Sequence, residues 1–411
     1  MGRFFSDTVE QALRDIYYEM ASGRGQEGFR RLEQASAAGD GDASCILARC
    51  LCGYQYTWEG HGFPEDDKRA VALMRRSVEQ GSAVGVLLAL RSGELKPQVQ
   101  AKMPFASLSE AFDIVLEKAK QGEPFCQYTI GNVYFWWDFL RIQGKNRNSF
   151  ASEEMFRAYL RENIAKCEDW FWKAYRNGMY HAGNNLNQYY QKGDEDLILP
   201  QPEKAKEIWR TGAEKGYPPH QYVWAKKLTE QGRHEEAFRW HEKAAKSGET
   251  DSWFYVGLAY EEGRGVSKDC AHAARCYEKG VDKNVGCQNR LGALYLEGNG
   301  VPKDYEKGVR LLLKASESGS KWGSVYLAKA YLNGFGVPKD YVKARQYLEK
   351  ITWADQQANY LWGLIYTQGL GVEENLKRGV EYLQRAPGNP QAREELEKYK
   401  KNLFGKWVRK K

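Results

Sequence analysis

Hydrophobic and polar positions recur in one fixed order along the last third of the chain. A small residue is followed by an apolar stretch with a tyrosine, then polar positions, a Gly-x-Gly-Val turn and an acidic or amide residue. The phrase reads GLAYEEGRGVSKD from Gly257, GALYLEGNGVPKD from Gly292, AKAYLNGFGVPKD from Ala328 and GLIYTQGLGVEEN from Gly363. Its opening small residue returns after 35, 36 and 35 residues. That spacing fits two helices and a turn and is far from any helix or strand period, so it predicts a solenoid of repeated hairpins.

The phrase marks the end of one helix, a tight turn and the start of the next. Gly298 and Gly300 suit the left-handed conformation that closes a helix, and Val301 is placed to dock just past the turn. Pro302 stops the first helix, and Asp304 offers a side-chain acceptor to the free amides of the second. The same roles fall to Gly263, Gly265, Val266 and Asp269, to Gly334, Gly336, Val337 and Asp340, and to Gly369, Gly371, Val372 and Asn375. Five residues before each opening residue stands a small notch residue: Ser252, Cys287, Gly323 or Ala358. Another, Ala273, Gly308, Ala344 or Gly379, follows each cap by four residues. Both notches are expected where the two helices of a hairpin cross closely.

Over residues 252–388 this pattern resembles the Sel1-like repeat family, a relative of the tetratricopeptide repeat with a longer turn. Tyr260, Tyr295, Tyr331 and Tyr366 occupy the family's core tyrosine position. The resemblance implies an all-α, α/α superhelical solenoid whose first helices line the concave face. It also implies an adaptor of complex assembly or signalling, or a bacterial regulator or toxin-neutralising (immunity-type) protein. Some secreted relatives carry a cysteine pair in each repeat, which this chain lacks.

Reading backwards, a capping glycine after each second helix falls at Gly39, Gly81, Gly122, Gly178, Gly216, Gly248 and Gly319, with Asn284 as a left-handed substitute in one repeat. Gly60, Gly62, Phe63, Asp66 and Ala70 reproduce the turn with Phe for Val. The stretch from Ala225 to Gly248, with Ala237 in the notch, reads as a plain tetratricopeptide hairpin. Insertions at about 92–108, 138–164 and 194–202 lie at one point of the repeat, so they are expected along one edge. About ten hairpins result: degenerate repeats over 1–250, regular ones over 251–389, and a C-terminal capping helix (390–403) with a basic tail to 411.

Composition narrows the function classes. Mean hydropathy is −0.70, and no apolar run approaches the roughly 18 residues of a membrane span. The N-terminus reads as an amphipathic helix and lacks the apolar core of a signal peptide, so a cytoplasmic protein is expected. Gly2 and Ser6 fit the loose myristoylation pattern, but Ser6 reads better as a helix cap. The net charge is +7. Residues 390–411 carry eight basic against three acidic side chains, so most of the excess sits at one end. A solenoid that tracks a phosphate backbone is expected to be basic along its length.

Catalytic and metal chemistry find little support. Cys126, Cys167 and Cys287 sit at packing notches; neither Cys45, Cys50 and Cys52 nor Cys270, His272 and Cys276 has paired C-x-x-C zinc spacing. The six histidines form no H-E-x-x-H motif, and the Gly-x-Gly turns lack the lysine of a phosphate loop. No enzyme and no cofactor are indicated. The aromatic content, 13 Trp and 26 Tyr, exceeds what repeat cores need. Tyr222, Trp224, Trp253, Tyr255, Arg290 and Tyr326 fall on first helices away from the notches and are the expected partner-binding residues, of the aromatic-plus-Arg kind that supplies hot spots. The run Tyr134, Phe135, Trp136, Trp137 and Phe139, with Trp170, Phe171 and Trp172, reads as an enlarged local core. The expectation is a non-enzymatic scaffold holding a protein or peptide in its concave groove. The alternative is nucleic-acid or anionic-surface binding through the basic tail.

Overall fold

The computed structural model describes residues 4–20, 23–53, 57–194, 197–351 and 355–410. Gly2 lies outside the described residues. Ser6 caps the helix Asp7–Leu13, its hydroxyl accepting from the Val9 amide at 3.4 Å. The fold is all-α: among the described residues ten helical hairpins follow one another, and they group into two compact units, Met1–Glu249 and Thr250–Lys411.

In the first unit Asp7–Leu13, extended by a π-turn, pairs with Gly25–Ala37, Gly41–Leu51 with Asp67–Glu79, and Ala83–Arg91 with Leu108–Lys120. Pro124–Phe135 then pairs with the long Glu153–Arg176, Ala182–Lys192 with Pro202–Glu214, and Pro218–Glu230 with His234–Lys246. The second unit pairs Ser252–Glu262 with Cys270–Gly280, Val285–Glu297 with Tyr305–Glu317, Ser324–Asn333 with Tyr341–Glu349, and Gln356–Gln368 with Leu376–Gln384.

The glycines of the repeated phrase serve two purposes. Both members of each Gly-x-Gly pair have φ between 66° and 76°, a region that other residues enter only at a cost. The second glycine also touches the preceding repeat. A Cβ on Gly300 would lie 2.3 Å from the Cys270 carbonyl carbon, one on Gly336 2.5 Å from that of Tyr305, and one on Gly371 2.8 Å from Tyr341 Cβ. These three turns are therefore seated on the first residues of the previous repeat's second helix. Asp269, Asp304, Asp340 and Asn375 cap the helices that follow, each accepting from the amide three residues on.

Within a hairpin the close crossing joins the opening small residue to the second-helix notch. A Cβ on Gly308 would come within 2.9 Å of the Gly292 carbonyl oxygen, and one on Gly379 within 3.0 Å of that of Gly363. The first-helix notch faces elsewhere. Cys287 packs its sulfur on Gly280, and Gly323 faces Asn289 and Leu312, so it serves contact between hairpins and not the crossing within one. Asn284 also departs from expectation: its φ is −110°, and its side chain caps Val285–Glu297 by accepting from the Cys287 amide at 2.9 Å. Gly60 sits in a 3-10 turn, Glu59–His61, whereas Gly62 is left-handed.

The insertions are built structure. Leu95 and Val99 of the first are buried. Residues 153–164, expected within the second, form the opening turns of Glu153–Arg176. Trp137, a left-handed non-glycine residue, ends one helical run and starts Asp138–Ile142, and its indole N–H donates to Asp194 in the third insertion at 3.1 Å. The Arg161 Nε–H donates to the Leu197 carbonyl at 3.3 Å, so these two insertions meet at one edge of the unit. The C-terminal segment differs from a continuous capping helix and free tail. Pro390–Leu396 is helical, and Tyr399–Lys401 pairs antiparallel with Trp407–Arg409. Arg409 donates to the Thr367 carbonyl and the Glu374 carboxylate, each at 2.7 Å.

The first unit has one large core running from Phe5 to Trp209 and a small separate cluster of Met20, Trp58 and Tyr217, whereas the second is a string of smaller clusters. Of the aromatic run, Phe135, Phe139 and Phe171 are buried and Tyr134, Trp137, Trp170 and Trp172 pack on that core. His220 lies beneath Tyr175 and Tyr217, with ring centroids 5.9 and 4.5 Å away. Burial, aided by the nearby His181, lowers its imidazole to about 3.

Substitution at Gly336 tests the seating of the turns. Gly336→Ala forces both a strained φ and a backbone clash, so it is expected to cost about 2 kcal/mol or more. Gly319→Ala, at a left-handed site with open space around it, is expected to cost about 1 kcal/mol; denaturant melts of both variants check the ranking. For His220 the unfolded ring takes a proton near pH 6.5 and the folded ring only near 3. The stability it contributes is thus present above pH 6.5 and lost as pH falls. Asp42 and Asp138, raised to about 6 by burial, act in the opposite sense, so the test is a comparison. Between pH 7 and pH 5, His220→Gln is expected to lose about 2 kcal/mol less stability than the parent; equal losses would contradict a neutral buried ring.

Candidate functional site

The helix period decides which side chains of a first helix face the groove. Measured from the notch, positions −1, +2, +3 and +6 lie on one stripe, the i, i+3, i+4, i+7 set. In the third hairpin these are Val84, Leu87, Leu88 and Arg91, and all four line one cleft. In the fourth, Phe125, Tyr128, Thr129 and Asn132 do the same, and in the fifth His181, Asn184, Asn185 and Gln188. Cys45 and Arg49 come from the second hairpin at +2 and +6, while Trp136 and Asp138 close the side nearest the second insertion. The cleft has a volume of about 380 Å³.

The two arginines of this cleft both lie on aromatic rings. Arg49 is 5% exposed, with its guanidinium 5.3 Å from the Phe125 centroid and 5.1 Å from that of Tyr128; the Tyr17 hydroxyl hydrogen-bonds to it. Arg91 lies 4.3 Å from the Trp136 centroid and 3.7 Å from a carboxylate oxygen of Asp138, and donates to the Asn132 carbonyl at 3.4 Å. Burial raises the Asp138 carboxyl to about 6, with Arg91 drawing it back. Burial also pushes the Cys45 thiol up to about 12, so it stays protonated. Across the cleft the Asn185 side-chain amide donates to Asn132 Oδ1 at 2.7 Å. The chemistry on offer is cationic and amide recognition with aromatic walls.

A second, smaller cleft of about 260 Å³ lies in the other unit. Trp322, Val325, Tyr326 and Lys329, the same four repeat positions of the ninth hairpin, line it with Glu297, Asp355 and Gln357. Arg290 covers the Trp322 ring at 4.7 Å and pairs with Glu261 at 3.2 Å; Tyr326 stands 5.4 Å from Trp322. Burial raises the Tyr326 hydroxyl to about 12. In both units, then, an arginine of one first helix covers a partly exposed tryptophan of the next hairpin, Trp136 at 47% and Trp322 at 36% exposure.

The six residues expected from the sequence divide by repeat position. Tyr222, Tyr255, Arg290 and Tyr326 occupy groove positions, and Arg290 and Tyr326 meet at Trp322. Trp224, at +4, packs on the core, and Trp253, at +1, has the Lys279 ammonium of its own hairpin 4.1 Å above its ring. Arg49, Arg91, Asn132 and Gln188 were missed. They share one repeat position, immediately after the opening residue, and that polar row across four successive hairpins is the signal that marks them. Among the described residues no group of three or more His, Cys, Asp or Glu side chains is placed to hold a metal ion, and no helix is long and apolar enough to cross a membrane.

Seven stretches of the chain match the Sel1 repeat: residues 46–82, 176–217, 233–249, 254–285, 286–320, 325–351 and 356–386, together more than half its length. The Mus musculus protein named DAP3-binding cell death enhancer 1 is 30% identical over 170 residues, covering 40% of this chain and 33% of that protein. Its Rattus norvegicus counterpart matches over the same shares. The chain spans about a third of the length of these curated relatives. Among solved structures, c5321, a protective antigen present in uropathogenic Escherichia coli strains and displaying an SLR fold, aligns over 95% of this chain and 79% of its own at 23% identity and a TM-score of 0.52. A Sel1 repeat protein from Oxalobacter formigenes aligns over 79% of this chain and 90% of its own at 20% identity and a TM-score of 0.46. Sel1 repeats are in general protein–protein interaction modules, and proteins built from them are typically non-catalytic scaffolds. With the repeated turn, the stacked hairpins and seven matched repeats in agreement, this chain belongs to the Sel1 repeat family.

Proposed function

We propose that the protein is a non-catalytic interaction scaffold that holds an extended segment of a partner protein in the cleft formed by its second to fifth hairpins. The observation that carries this reading is the supply of groove residues by four consecutive first helices to one cleft. Asn132, Asn184, Asn185 and Gln188 present amide donors and acceptors there, which match the backbone of an extended peptide in a way that an apolar pocket does not. Phe125, Tyr128 and Trp136 supply rigid aromatic walls, and Arg91 supplies the kind of anchor that dominates interface energetics. The name of the mouse relative ties that protein to binding another protein, DAP3, which supports a protein partner as the general class. The cluster of Arg290, Trp322 and Tyr326 is a second contact region on the same reading. The basic C-terminal residues fit a phosphate-tracking arm less well, because Arg409 is engaged with Thr367 and Glu374.

The test is affinity capture from the source organism with the full chain as bait. The double variant Asn185→Ala/Gln188→Ala is expected to lower recovery of a specific partner about ten-fold or more while its melting curve stays within a degree or two of the parent's. A partner recovered equally by parent and variant would remove the cleft from the binding surface. Arg290→Ala/Tyr326→Ala, assayed alongside, is expected to weaken capture by a smaller factor if the partner reaches the second unit.

A further inference from the structure

Arg49 is unusual among the groove residues because a charge that is 5% exposed is costly to keep, and replacing buried ions by apolar side chains of similar size is often neutral or stabilising. Packing alone does not call for a guanidinium at this position. The guanidinium lies over the Phe125 and Tyr128 rings, and the side chain still lines the cleft. Its neighbours Tyr17 and Cys45 are held in their protonated forms by burial. Among the described residues the charged side chains of the lining are Arg49, Arg91 and Asp138, a balance of one positive charge in a cleft whose walls are aromatic and amide-bearing.

Resting on the reading of this cleft as a peptide-binding groove, we infer that its ligand presents a carboxylate, which Arg49 and Arg91 receive while the amides of Asn132 and Asn185 hold the adjoining backbone. A planar guanidinium held over two aromatic rings is pre-organised for the two oxygens of a carboxylate. One net positive charge matches one carboxylate, and Asp138 beside Arg91 at 3.7 Å opposes a doubly charged phosphate. The carboxylate comes either from an Asp or Glu side chain of the partner or from its C-terminus.

The experiment presents the full chain with immobilised short peptides of random sequence in four arms: free or amidated C-termini, each with Asp and Glu allowed or omitted. Retention is expected to follow the carboxylate, and the arms assign its source. Selection in the acid-free, free-terminus arm identifies a terminal carboxylate, and selection in the acid-containing, amidated arm identifies a side chain. Arg49→Gln and Arg91→Gln are each expected to weaken the selected peptide at least about ten-fold, with little change for the same peptide bearing Asn, Gln or an amide in place of the acid. If Arg49→Gln unfolds, Arg91→Gln and the acid-to-amide peptide pairs decide between the outcomes without it. Equal retention in the fully carboxylate-free arm, still abolished by Asn185→Ala/Gln188→Ala, overturns the carboxylate inference and leaves the peptide groove standing. No retention in any arm overturns both.

Discussion

The contact on which the second unit depends is made by atoms that are missing. The second glycine of the last three Gly-x-Gly turns sits against the first residues of the preceding second helix, at distances from Cys270, Tyr305 and Tyr341 that leave no space for a Cβ. That approach fixes the rotation of one hairpin on the next, so the side-chain stripe at −1, +2, +3 and +6 recurs in register. Left-handed φ alone would be satisfied by a glycine in open space, as at Gly319. The turn is thus a spacer between repeats as well as a link within one, in keeping with the nearest-neighbour character of solenoids.

The first unit reaches its stacking by other means. Several of its first-to-second-helix connections are long insertions, and side chains do what glycine turns do elsewhere. Trp137 adopts the left-handed conformation and ties its indole to Asp194, and Arg161 reaches Leu197. The small residues that remain make room for rings: a Cβ on Gly131 would strike Phe171, and one on Gly183 would strike His220. The outcome is one large core with large aromatic side chains, against local clusters in the second unit. A stack built on a core of this kind has surface to spare for a cleft deep enough to bury Arg49.

Charge placement in that cleft follows from the same geometry. A long side chain at +6 on one first helix reaches across to rings of a later hairpin: Arg49 lies on Phe125 and Tyr128, and Arg91 on Trp136. Packing on the rings holds the guanidinium and offsets part of the desolvation cost. In the second unit Arg290 reaches Trp322 from position +3, and Glu261 holds the arginine. In both units an arginine of one first helix covers a tryptophan of the next hairpin, from +6 in the first unit and from +3 in the second.

The repeat, its turn chemistry and the all-α hairpins are legible in the sequence, because left-handed glycines, acidic caps and a period near 35 residues are local requirements written at fixed offsets. The sequence also located Arg290 and Tyr326 on the groove stripe. It did not separate these from Trp224 and Trp253, which stand at +4 and +1, since a large aromatic on a first helix looks the same in sequence whichever way it faces. Packing was needed to show that Asn284 caps a helix start, that Lys400, Lys401 and Arg409 lie in a β-hairpin, and that Arg49, Arg91, Asn132 and Gln188 form one row. Those outcomes depend on which hairpin lies beside which and at what rotation, and packing between repeats sets both.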